Sequence, residues 1–133
     1  YSTVKNQGEN RWNAADGSKT EFDPCPRGWR VPVSGFGNAS PWYNCLTVGA
    51  PWLNGVIWED LGYWPAAGLL ESSGQSYLGM FGYYWAATPG ESLSGGITKE
   101  GCAYGYNFDN QTSLTSYLQY RHTVLSVRCV KVQ

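Results

Sequence analysis

Val124-Leu125-Ser126-Val127-Arg128-Cys129-Val130-Lys131-Val132 alternates two sets of side chains. In an extended chain Val124, Ser126, Arg128, Val130 and Val132 share one face, and Leu125, Val127, Cys129 and Lys131 the other. A run of period two predicts a β-strand. Working back toward the N-terminus, further strand signals recur between polar or glycine-broken stretches. Ala103 to Phe108 places Tyr104, Tyr106 and Phe108 on one face. Tyr83 to Thr88 is a strongly aromatic strand stopped by Pro89-Gly90. Tyr63 to Leu70 reads as a buried strand in spite of Pro65, and Trp29-Arg30-Val31 as a short strand closed by Pro32. Val56 to Leu61 reads as a short helix. Residues 34–55, 71–82 and 91–101 read as loops, the first with at most one helical turn. Residues 1–22 are polar and aperiodic, and read as a lead-in or the end of a linker from an upstream domain. Residues 23–133 then form one domain of α+β class, with short antiparallel strands, long loops and little helix.

Composition agrees with that picture. A chain of 133 residues is one domain's length. Its net charge of −1 offers no basic excess to grip phosphates, which argues against nucleic acid as a partner. No apolar run approaches the roughly 18 residues of a membrane span. Leu, Ile, Val and Phe are scarce, while seven Trp and ten Tyr take their place. With 17 glycines and seven prolines, the chain reads as turn-rich with an aromatic core. It opens at Tyr1, as a processed chain or a domain cut from a longer protein would.

The four cysteines, Cys25, Cys45, Cys102 and Cys129, form no CxxC pair, and the single histidine, His122, is distant in sequence from most of them. That spacing does not suit zinc, which needs clustered ligands. Two readings stay open: disulfides in an exported protein, or buried thiols in a reduced one. Two glycosylation sequons, at Asn38 and Asn110, matter only in a glycosylating host.

Four pieces, taken in order, resemble a known family: Asp23-Pro24-Cys25-Pro26-Arg27-Gly28-Trp29-Arg30-Val31-Pro32, Trp64-Pro65-Ala66-Ala67-Gly68, Gly82-Tyr83-Tyr84-Trp85-Ala86-Ala87-Thr88 and Ser126-Val127-Arg128-Cys129-Val130. Together they resemble the Fibrobacter succinogenes major paralogous domain, which occurs in exported lipoproteins and fimbrial subunits of Bacteroidota. The likeness covers about residues 20–133. It implies a C-type-lectin-like domain in which the first and last strands pair and a long loop region carries the ligand surface. It also implies a Cys25–Cys129 disulfide, leaving Cys45–Cys102 as a second pair. Two departures stand out: Val33 replaces the family's usual Thr, and Leu125 its usual Gly before the last strand.

Within the motifs, Trp29, Trp64, Tyr84 and Trp85 read as core rings. Arg30 and Arg128 read as structural cations holding carboxylates or loop carbonyls. Asp23 reads as an Asx-type turn cap. The loop aromatics Trp42, Tyr43, Trp52, Tyr77, Tyr104, Tyr106 and Tyr117 divide evenly between a small core and a binding surface, since rings left in water call for a cover. Aromatic platforms with amide groups suit sugars, and the same palette suits proteins. Asn107, Asp109, Asn110 and Gln111 are the densest polar run and the candidate hydroxyl readers. They are also the place a calcium ion would go, although one charge is few for calcium; no other cofactor is expected. No catalytic constellation surrounds His122 or Glu59-Asp60. The expected function is therefore a non-enzymatic cell-surface binding module of the adhesin, fimbrial-tip or lipoprotein kind, recognising a glycan or a surface protein as part of a longer chain or assembly. The alternatives are a structural capping domain or, through Cys129, an enzyme of the formylglycine-generating type.

Overall fold

The computed structural model describes residue 12 and residues 18–33, 41–42, 49–89, 102–120 and 122–132, apart from the side chains of 88–89, 102 and 114–118. Nine strands run through the described residues: β1 Trp29–Arg30, β2 Gly55–Trp58, β3 Gly62–Pro65, β4 Leu69–Glu71, β5 Gly74–Ser76, β6 Gly82–Pro89, β7 Cys102–Phe108, β8 Ser113–Tyr120 and β9 Val130–Lys131. All ladders are antiparallel: β1 with β9, β2 with β3, β4 with β5, and a three-stranded sheet in the order β6-β7-β8. There is no helix among the described residues, which overturns the expected α+β, C-type-lectin-like class; what is described is all-β. None of it is a helix long and apolar enough to cross a membrane.

The short helix expected over Val56 to Leu61 is β2 and its turn. Val56 and Trp58 are buried while Ile57 is exposed, so the apolar period is two and the β-branched pair follows it. Glu59 to Leu61 then turn the chain into β3 at Gly62, whose φ is 78°. The strand expected from Tyr63 to Leu70 splits in two at Gly68, where φ is 67° and any side chain would collide with the Ser76 carbonyl. The polar stretch after Glu71 is the β4–β5 hairpin rather than a loop.

The sheet is organised about β6. One edge pairs with β7. The other is shared by three segments: Gly68 donates to the Phe81 carbonyl just before β6, Ser126 exchanges bonds with Tyr83 and Trp85, and the Pro32 carbonyl accepts from Ala87. Alternation along β6 sends Tyr83, Trp85 and Ala87 into one apolar cluster and Tyr84 and Ala86 into another, so both faces of the strand are buried. The second cluster is almost wholly aromatic. Trp42 stacks on Tyr106 at 4.7 Å, and Trp64 meets Tyr84 edge-on at 4.8 Å. Rings thus supply the volume that the scarce aliphatics do not.

The run Val124 to Val132 is extended but is not one strand. Val124 bridges Leu70, Ser126 bridges Tyr84, and only Val130–Lys131 enters a ladder, facing Arg30 and Trp29. The expected pairing of the first and last motif strands is present, and Cys25 is bonded to Cys129 beside it, with Cα atoms 5.7 Å apart. For the second expected pair, Cys45 and the Cys102 side chain lie outside the described residues. Of the expected lead-in, Trp12 is buried in the first cluster and Lys19 is tied to the loop that follows.

Candidate functional site

The β1–β9 ribbon is fixed by its own loop. Asp23 is buried and accepts N–H bonds from Cys25 at 2.8 Å and Val31 at 2.9 Å, the first being the Asx turn expected of it. Lys19 sets its ammonium 3.6 Å from the same carboxylate and donates to the carbonyls of Pro26 (3.1 Å) and Trp29 (2.7 Å). On the far side, Arg128 donates to the carbonyls of Tyr63 and Leu61 and lies 4.9 Å over the Trp64 ring. It clamps the β2–β3 turn against the approach to β9, as its reading as a holder of loop carbonyls implied. Arg30 donates to the Val31 carbonyl at 3.2 Å.

Between ribbon and turn lies a cleft of about 800 Å³. Trp29, Arg30 and Lys131 line it from the ribbon, Asp60 and Leu61 from the β2–β3 turn, and Arg128 from between them. Trp29 is 44% exposed and so is a rim residue, not the core ring its motif suggested; Trp64, Tyr84 and Trp85 are buried as expected. Three cationic residues and one carboxylate line it, in a chain whose net charge is −1. A ring, a cluster of donors and a carboxylate acceptor in one concavity can hold a polar ligand that has an apolar face.

The loop aromatics do not converge on one surface. Trp42 and Tyr106 are fully buried and stack on each other, so neither can meet a ligand. Trp52 and Tyr104 are half-buried against the same aromatic cluster. Tyr77 is exposed, in a turn with a positive φ of 65°, and packs edge-on to Phe81. Tyr43 and the Tyr117 side chain lie outside the described residues. Asn107 is half-buried in β7, and Asn110 is exposed in the β7–β8 turn. Asp109 is committed to that turn. Its Oδ1 accepts from the Gln111 N–H, the Thr112 N–H and the Thr112 hydroxyl, and against desolvation, which raises it, these bonds hold its carboxyl below the usual value. Among the described residues no group of three or more His, Cys, Asp or Glu could hold a metal ion. His122 is exposed and stacks on Tyr120, and Cys129 is held in the disulfide.

Sequence reasoning did not single out Lys131 or Leu61 and took Asp60 only as half of an acidic pair. For Lys131 the one signal was the pairing of first and last strands, which brings residue 131 beside residue 29; Asp60 and Leu61, in the β2–β3 turn, had none. Compared with family models, curated proteins and solved structures, the chain matches none of them.

Proposed function

We propose that this chain is a non-enzymatic binding module of a bacterial cell surface and that it recognises a glycan in the cleft beside the β1–β9 ribbon. The observation that carries the reading is that cleft, with a half-exposed indole on its rim beside Arg30, Arg128, Lys131 and Asp60. Apolar sugar faces stack on indole rings, and hydroxyls need both donors and acceptors. The walls are held by the Cys25–Cys129 bond and the Arg128 clamp, so little ordering cost falls on binding. The disulfide and the four-motif resemblance support an exported setting, such as an adhesin, a fimbrial tip or a surface lipoprotein.

A glycan array probed with the oxidised protein tests this, followed by Trp29→Ala. Since the Trp29 ring is half in water, its removal is expected to abolish capture while leaving the melting temperature nearly unchanged. Failure of the wild-type protein to capture any glycan would favour a purely structural capping domain.

A further inference from the structure

Resting on the glycan reading above, we infer that the ligand of this cleft is an acidic sugar, one bearing a single carboxylate among several hydroxyls. Trp29 and Lys131 are direct cross-strand partners in the β1–β9 ladder. Side chains opposite each other in an antiparallel pair share a face, with Cβ atoms about 5 Å apart. Both line the cleft. The indole and the lysine stem therefore rise side by side from the ribbon, an arrangement that suits a pyranose ring whose acid group projects from its edge. Lys131 is exposed and has no partner among the described residues.

Arg128 adds to this. Of its five N–H donors, two hold the Leu61 and Tyr63 carbonyls. The clamp fixes the guanidinium at the cleft wall, and its charge remains. Among the side chains that line the cleft the cations outnumber the one carboxylate, so the lining favours an anion.

Asp60 decides between an acidic sugar and an acidic peptide. It lines the cleft from the β2–β3 turn. Its carboxylate accepts hydroxyl hydrogens but repels a second carboxylate, which disfavours a run of Asp or Glu side chains. One acid with many hydroxyls fits that arrangement.

The test is calorimetry on the oxidised protein with three probes: a trisaccharide containing one glucuronate, its carboxyl-reduced counterpart, and triglutamate. The glucuronate probe is expected to bind about tenfold tighter than its reduced form and to weaken as salt is added. Lys131→Ala should remove most of that advantage, and Lys131→Arg should keep it. Equal binding of the acid and reduced sugars, with both lost in Trp29→Ala, would overturn the acidic class and leave the glycan reading standing. Tighter binding of triglutamate, or full affinity in Lys131→Ala, would likewise overturn it. Absence of binding to any saccharide, on the array or here, would overturn both.

Discussion

Tyr84 donates its hydroxyl to the Pro65 carbonyl at 2.7 Å, between the rings of Trp64 and Phe108. Burial pushes its ionisation far above the ordinary value of 10.0; the Arg128 charge pulls it down and Tyr63 adds to the rise. The fold thus favours the neutral phenol. That contribution is complete below the unfolded value of 10.0 and is lost as pH climbs from there toward the folded value. Tyr84→Phe removes both the bond and the titration. It is expected to cost about 1 kcal/mol at neutral pH and to make the alkaline fall in melting temperature shallower. Trp42 makes a second case. It is fully buried, so Trp42→Ala is expected to destabilise by about 3 to 5 kcal/mol in a denaturant titration, like a change at Trp85. From sequence alone Trp42 and Trp29 would change places, the first set in an irregular loop and the second in a strand motif. Neighbouring Gly, Asn and Ser tell that the backbone is irregular. They do not tell which way a ring turns, because the stacking of Trp42 on Tyr106 depends on segments far apart in the chain.

At the scale of elements, β6 and β7 meet closely at Gly82. Gly82 opposes Phe108 in the ladder, and a methyl group at Gly82 would strike the Phe108 ring. Gly82→Ala is therefore expected to cost about 1 to 3 kcal/mol by overpacking. Adding Phe108→Leu should recover part of that loss in a double-mutant cycle of melting curves. Among the strands legible in the sequence, which include β1, β6 is read from its aromatic run and β7 from its aromatic alternation. β8, with its Thr, Tyr and Leu, carried a weaker alternation and went unread. The last nine-residue alternation misled in another way. Its period is true of the backbone, but its hydrogen bonds go in turn to Leu70, to β6 and to β1, and a single sequence does not say where a strand changes partner. The β2 hairpin was hidden by Glu59-Asp60, which suit a helix turn as well as a tight reversal.

For the whole molecule, the Cys25–Cys129 bond closes 104 positions of chain. Reduction is expected to destabilise the domain by up to about 4.7 kcal/mol in chemical denaturation, the loop-entropy value for that length. The loss should show first at the two-residue strands β1 and β9, whose ladder has only two residue pairs. The candidate cleft rests on that ladder. It was legible only as far as the pairing of first and last motifs, since the Asp60 wall arrives through the β2–β3 turn and the Arg128 clamp. The same bond sets how the domain carries mechanical load. A pull applied upstream of Cys25 and downstream of Cys129 passes from one sulfur to the other and bypasses everything between them. The strands between the two cysteines, β1 to β8, would be spared the tension, and roughly 350 Å of chain, at about 3.4 Å per residue, would be withheld from stretching until the disulfide was cut. β9 lies just past Cys129, in the loaded segment, so the same pull would peel Val130 and Lys131 from β1 and open the cleft while the strands between the cysteines were spared.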